Sequence, residues 1–329
     1  MKKISWIEIS LKQYGGFAYN DLARVSLGRY FDVRLVITPI QVFRKFRPLK
    51  FLEIMWRLAR LKGESDVWIR NFYAVLTMPM DRTRGKQVVV RHHADFSGFP
   101  LISRPFFWIL EKIFEHNAKK LDAIVVVSQY WKTYFEKKGF SNVYLIFNGF
   151  HLEDFEISQE EVNEFKKSWK LEGRPIIYLG NCQKPKGVKE SWNALKDFHA
   201  HLVTSGRRMI QIPAQNLELE YRDYLKLLKA SSVVVAMSRF QEGWSRTAHE
   251  AMLLKTPVIG SGRGGMRELL EGGQQMVCED ISKLKEMVEY LLANETARKE
   301  QGERGYRFAS QFSKERFQED WIRLVHKIL

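Results

Sequence analysis

Residues 239–270, R-F-Q-E-G-W-S-R-T-A-H-E-A-M-L-L-K-T-P-V-I-G-S-G-R-G-G-M-R-E-L-L, constrain the fold of this chain more than any other stretch. The β-branched run that leads into it, Val233-Val234-Val235 with Ala236 and Met237, is too short for a helix and reads as a buried strand. Glu242-Gly243 breaks the chain. Ser245 then stands at an N-cap position, ahead of a helix through Ala248, Ala251, Met252 and Leu254 that Thr256-Pro257 stops. Val258-Ile259 is a second short strand, and residues 260–265 turn into another helix. Two strand–loop–helix units in series put two helix N-termini on one edge of a sheet. Their uncommitted N–H groups and partial positive charge suit phosphate.

Two carboxylates stand in this phosphate-friendly place. Glu242 lies in the loop, and Glu250 about a turn and a half into the helix. Spacing alone leaves two readings open. Glu242 is a solvated loop residue and Glu250 pairs with Arg246 on an exposed face, or both accept hydrogen bonds from hydroxyls of a ligand whose phosphate sits at the helix start.

Glu242-x7-Glu250, opening on Glu-Gly and closing on Glu-Ala-Met, resembles the E-x7-E signature of retaining GT-B glycosyltransferases, above all family 4 (group 1). Gly264-Gly265-Met266-Arg267-Glu268-Leu269 resembles the G-G-x-x-E-L turn of that family. Residues 180–187 have the spacing of its G-R-L-x-x-x-K-G, with Asn181 in place of the usual Arg, and Asn148-Gly149 with Phe155 resembles its N-G-V-D-x-x-x-F. The resemblance implies an α/β GT-B fold, with two Rossmann-like, doubly wound domains facing a central cleft. It implies a retaining transferase that moves a sugar from a nucleotide-sugar donor to a glycan or lipid-linked acceptor. The likeness is strongest over 175–270 and weak over 30–85.

The resemblance also assigns residues. Glu242, His93 and Lys186 would be catalytic, with Glu242 and His93 on the transferred sugar and Lys186 on the donor diphosphate. A fixed ammonium there would stabilise charge growing on the leaving phosphate. Glu250 would hold the ribose, and Ser245, Arg246 and Thr247 at the helix start would hold phosphate. Gly264 and Gly265 would close the donor pocket through backbone contacts. Gly15 and Gly16 would form a loop near the donor phosphates or acceptor. Asn181 leaves one phosphate cation missing, which Lys184, Arg239 or Arg263 could replace. His92 and His93 both end a strand, but neighbouring strand residues face opposite ways, so only one belongs to the site, and His93 fits better. Asp95 is a weaker candidate for an acceptor contact. No cofactor and no metal are expected, because Lys and helix N-termini take a metal's part.

At 329 residues the chain suits two domains. Short strands alternate with helices, as in parallel sheets: near 3–9, 33–37, 67–70, 88–92, 123–128 and 143–147, then 175–179, 209–212, 233–237, 258–259 and 276–278. The first domain is expected over 1–155 and a linker with its lead-in helix over 156–172. The donor domain follows over 173–311, and a last helix, 312–329, returns to the first domain. That helix puts Phe317, Trp321, Leu324, Val325 and Ile328 on one stripe.

Charge is divided unevenly. Residues 1–150 carry 25 Lys and Arg against 12 Asp and Glu, although the whole chain is only +15. An anionic partner for that half is implied. The densest stretch is 41–62, where Arg44, Lys45, Arg47, Lys50, Arg57, Arg60 and Lys62 face Glu53 alone and interleave with Phe43, Phe46, Phe51 and Trp56. Pro48 splits it into a loop and an amphipathic helix. It reads as a solvated face over a core stripe, or as a peripheral contact with an anionic membrane surface. Nucleic acid is the alternative partner, but no zinc spacing, helix-turn-helix or ribonucleoprotein motif supports it. No apolar run is long enough to span a bilayer, no signal peptide is evident, and the only cysteines are Cys182 and Cys278. A cytoplasmic protein is expected, at most peripheral on the inner face of a membrane.

Overall fold

The computed structural model describes residues 1–9, 15–38, 47–98 and 100–329. The first half alternates strand and helix: β1 (Lys3–Glu8), α1 (Gly15–Leu27), β2 (Asp32–Ile37), α2 (Arg47–Ala59), β3 (Lys62–Arg70) and α3 (Phe72–Leu76). It continues through β4 (Arg82–Arg91), α4 (Arg104–Ala118), β5 (Ala123–Val126), α5 (Gln129–Lys137) and β6 (Val143–Leu145). Next come α6 (Gln159–Ser168), β7 (Ile176–Asn181), α7 (Val188–Leu195), β8 (His201–Ser205), β9 (Gln215–Leu217) and α8 (Tyr221–Ala230). The chain ends on β10 (Val233–Ala236), α9 (Arg246–Leu253), β11 (Val258–Gly260), α10 (Gly265–Gly272), β12 (Met276–Val277), α11 (Leu284–Ala293), α12 (Glu295–Ala309) and α13 (Lys314–Ile328).

Among the described residues the strands form two six-stranded sheets, ordered β2-β1-β3-β4-β5-β6 and β12-β11-β10-β7-β8-β9, with all neighbours parallel. Most of these parallel strands are joined by helical crossovers, which cover both faces of a sheet and bury its inner strands on both sides. The central runs Ala123–Val126 and Val233–Val235 are accordingly apolar and buried. This is the α/β, two-domain GT-B fold. No helix of the described residues is long and apolar enough to cross a membrane.

One compact unit comprises Met1–Ala94, Leu101–Gly149 and Lys314–Leu329, and the other Asp95–Pro100 and Phe150–Ser313. The change-over thus falls at Gly149/Phe150 rather than at 155. The expected linker is part of the second unit, where α6 packs on α8 behind a Ser158–Glu161 capping box. α13 packs against α1 in the first unit, where its whole apolar stripe, Phe317, Trp321, Leu324, Val325 and Ile328, is buried. Trp321 meets Trp6 at a ring distance of 5.6 Å, and Phe317 meets Tyr19 edge-on at 5.0 Å.

Two local expectations are corrected. Residues 209–212 form no strand. Met209 is exposed, Pro213 follows, and the segment is loop between β8 and β9, anchored by Ile212 in the core. The strand at this place is β8, whose sequence His-Leu-Val-Thr-Ser holds only two apolar residues in a row and is followed by Gly206. Gly15 and Gly16 are not a loop: they open α1. Pro48 lies in the first turn of α2, where its missing N–H costs nothing. Residues 41–46, with Phe43, Arg44, Lys45 and Phe46, lie outside the described residues.

Candidate active site

In the second sheet β7 and β10 are neighbours, and the chain winds outward from them in both directions, to β8 and β9 on one side and β11 and β12 on the other. At such a reversal the loops leaving the C-terminal strand ends part and open a crevice. Both loops singled out in the sequence leave from this point.

After β7 a tight turn, Lys184–Lys186, leads to Gly187, whose φ of 68° is left-handed. A Cβ on Gly187 would fall 1.9 Å from the Met237 carbonyl oxygen, so glycine lets the β7 loop close on the end of β10. That approach brings Lys186 to Glu242: Nζ donates to Oε1 at 2.5 Å. The Ser238 hydroxyl donates to the same oxygen. Glu242 is only 7% exposed, so the solvated-loop reading fails. From β11 the next loop closes in. Gly264 has φ 64°, and a Cβ there would sit 2.4 Å from the Glu242 carbonyl oxygen. The Gly265 N–H donates to that oxygen at 2.9 Å, and the Glu242 N–H donates to the Arg263 carbonyl at 3.2 Å.

Glu250 is buried within α9, yet it does pair with Arg246, at 3.1 Å. Tyr221 donates to its Oε1 at 3.3 Å and Tyr224 to its Oε2 at 3.2 Å. Burial pushes the carboxyl above the usual range, against the pull of Arg246 and the tyrosines. Burial, with the Glu250 charge next, keeps both tyrosines protonated as donors. A carboxylate offers about four acceptor positions, and three donors occupy all but one of them. With the Tyr224 hydrogen given to Glu250, the Thr247 hydroxyl donates to the Tyr224 oxygen at 3.1 Å, and the Arg246 guanidinium lies 4.5 Å over the Phe150 ring. Ser245 occupies the N-cap position but makes no capping bond. Its backbone is left-handed, with φ 68°, rather than the extended conformation usual at a cap.

Asn181 ends β7, where its Oδ1 accepts from the hydroxyls of Tyr178, at 3.2 Å, and Ser205, at 3.0 Å. Of the cations considered as replacements, Arg239 pairs with Glu190 at 2.7 Å, Arg263 donates to the Arg239 carbonyl at 3.4 Å, and Lys184 is exposed. Asp95 lies in the segment that belongs to the second unit. Its Oδ2 accepts from the Gln241 N–H at 2.6 Å, which steadies the loop carrying Glu242.

Gly15, Gly16, His92 and His93 belong to the first unit. β4 ends at Arg91, so both histidines follow the strand. His92 is packed in a polar group with Asn20, 3.3 Å from its Nε2, and Tyr19, while Asn20 in turn donates to buried Glu8 at 2.8 Å. Burial, helped by His93 and Arg91, lowers the His92 pKa to about 3. His93 lies beside Trp131, at a ring distance of 6.5 Å.

Sequence reasoning missed several supports. Tyr221 and Tyr224 are three apart at the start of α8, a spacing that puts both on one helix face and could have been read. Ser238 carried no signal. Neither did the Trp244–His249 pair: Trp244 Nε1 donates to His249 Nδ1 at 2.9 Å, and His249 Nε2 donates to the Ala309 carbonyl at 3.1 Å. Phe150 stacks on that imidazole at 4.1 Å, so α9 is held from both sides.

The family model "Glycosyl transferases group 1" matches residues 159–308, and "Glycosyltransferase Family 4" matches 17–154. Between them the two models span most of the chain, and the protein is a glycosyltransferase similar to family 4 and group 1. This glycosyltransferase is 23% identical over 334 residues to an uncharacterized glycosyltransferase of Methanocaldococcus jannaschii, covering 96% of this chain and 89% of that one. Among solved structures it resembles Anabaena HepE in complex with UDP-glucose, with a TM-score of 0.78, 15% identity and coverage of 99% and 100%. It also resembles the sucrose-phosphate synthase of Thermosynechococcus elongatus, with a TM-score of 0.81, 14% identity and coverage of 100% and 99%.

Proposed function

We propose that this glycosyltransferase takes its sugar from a nucleotide-sugar donor bound by the second unit and transfers it with retention to a glycan or lipid-linked acceptor. The reading rests on the Lys186–Glu242 pair at the β7/β10 reversal, with Glu250 in the adjoining helix. Glu250 accepts the ribose hydroxyls. The sugar lies against Glu242, and the diphosphate against Lys186 and the start of α9 at Ser245, Arg246 and Thr247. Gly264 and Gly265 close the pocket with backbone. As the sugar–phosphate bond breaks, its electron pair stays on phosphate, where the Lys186 ammonium offsets the charge. No metal is required for that step. Asn181 stands beside the donor site at the end of β7, and the proposed roles of Gly15, Gly16 and His93 belong to the first unit. The complexed UDP-glucose of the HepE structure supports a nucleotide-sugar donor. The basic excess of residues 1–150 supports a cytoplasmic enzyme peripheral on an anionic membrane through 41–62.

The test is calorimetry with a panel of nucleotide sugars, followed by hydrolysis and transfer assays with and without a chelator. Glu250→Ala should weaken donor binding by about 1.5–3 kcal/mol, the worth of a charged hydrogen bond. Unchanged affinity in a folded Glu250→Ala protein would remove the ribose role, and loss of turnover in chelator would refute metal-free transfer.

A further inference from the structure

α4 is apolar on both sides. Phe107, Leu110, Phe114 and Ala118 pack inward, onto the core around Val89, Ile124 and Trp131. On the outer side Phe106, Trp108, Ile109 and Ile113 are exposed, and the turn ahead of the helix adds Leu101, 75% exposed, and Ile102, 92% exposed. α2 continues this surface. Its Phe51 meets Phe106 edge-on at 5.3 Å, and on its outer face Leu52 and Trp56, one helical turn apart, are both more than half exposed. Single exposed apolar residues are ordinary, but a run of this size on adjoining helices marks a contact surface.

Charge decides what the surface meets. The carboxylates of α2 and α4 are committed: Glu53 to Arg57 at 3.0 Å, Glu111 to Arg91 at 2.5 Å, and Glu115 to Lys112 at 2.9 Å. Lys50 is carried by α2 and Arg60 follows it, while Arg104 opens α4 and Lys119 and Lys120 follow its end, and the Arg60 guanidinium lies 4.2 Å over the Trp56 ring. A second copy docking isologously would set these cations against their own copies. An anionic lipid headgroup layer complements them, with apolar and aromatic side chains entering the acyl boundary and the cations staying at the headgroups.

We propose that the outer face of α4, with Leu52 and Trp56 of α2, is the surface by which this protein docks on an anionic bilayer. The inference rests on the peripheral-membrane reading above but assigns the contact to α4, beyond 41–62. The test is co-sedimentation with vesicles of phosphatidylcholine alone and with one-third phosphatidylglycerol. Wild type is compared with Ile102→Ser/Trp108→Ser/Ile109→Ser, a variant that touches only exposed side chains and leaves the basic residues in place. Wild type should sediment with the anionic vesicles, and the triple variant should bind them at least about tenfold more weakly. Its melting temperature and its hydrolysis of soluble nucleotide sugar should not change. Independently, brominated lipid should quench tryptophan fluorescence in wild type and quench it less in Trp108→Phe. If the triple variant sediments like wild type, the α4 assignment falls while the membrane reading stands. If wild type binds neither vesicle, both fall and the transferase reading is untouched. A dimer that the triple variant dissolves, with no vesicle binding, would make the face a contact between copies and overturn the proposal.

Discussion

Lys186 and Glu242 illustrate how one side chain sets the working position of another. The Lys186 ammonium lies 5.1 Å over the Phe240 ring and donates to Glu242, which also accepts from Ser238. A lysine tethered in this way loses little further freedom when it engages phosphate. Lys186→Ala should therefore lower kcat by about a hundredfold with a smaller change in KM. Steady-state kinetics beside an unfolding curve check it, since the variant also removes the cation beside Glu242. A wild-type rate would return Lys186 to an ordinary surface role. His249 offers a test of a different kind. Burial, against the pull of the Ala309 carbonyl, lowers its pKa to about 3, while the unfolded chain takes up the proton near 6.5. Its contribution to stability is thus complete above about pH 6.5 and is lost as pH falls toward 3, by about 1.4 kcal/mol per pH unit once well below 6.5. His249→Gln should be less stable at pH 7 but lose less between pH 7 and pH 5, read as urea midpoints. An equal slope in both proteins would contradict the neutral, doubly hydrogen-bonded imidazole.

At the scale of the element, the site depends on how closely three loops approach. Gly187 lets the β7 loop touch the end of β10, and Gly264 lets the β11 loop touch Glu242. Gly264→Ala meets both a left-handed φ and a backbone oxygen 2.4 Å away, so the loop must move. A cost of about 1–3 kcal/mol in stability is expected, with turnover falling because Glu242 is displaced. Thermal denaturation and kinetics would show it, and a variant as stable and active as wild type would deny that the contact matters. α9 is similarly positioned from outside itself. Ser245 supplies no cap, but Phe150, Trp244 and the Ala309 carbonyl clamp His249 in its middle.

At the scale of the molecule, the last helix belongs to the first unit although most of the second unit intervenes in sequence. Its five buried side chains are each worth about 1.5–3 kcal/mol of apolar burial, so together they match the net stability of a typical domain. Deleting residues 314–329 should therefore unfold the first unit, exposing Trp6 and Tyr19. Tryptophan fluorescence and limited proteolysis would detect it. A truncated chain that melts like the intact protein would show that α13 adds little.

Periodicity made most strands legible, because a parallel strand buried on both faces must be a short β-branched run, as at 123–126 and 233–235. It also gave the stripe of α13 and put Glu242 in a loop and Glu250 in a helix, while Lys186 was singled out by the family resemblance of residues 180–187. It failed where the signal was not apolar. β8 reads His-Leu-Val-Thr-Ser and was hidden by the stronger run at 209–212, whose residues serve as loop. What no local pattern contains is partnership across the sheet. That Lys186 donates to Glu242, 56 residues away, follows from β7 and β10 lying side by side. That Tyr221 and Tyr224 bracket Glu250 follows from α8 packing on α9. Sequence determined which residues carry charge and which elements they ride on, because those depend on neighbours along the chain. Tertiary structure decided their partners, burial and protonation, because these depend on distance and desolvation between segments remote in sequence.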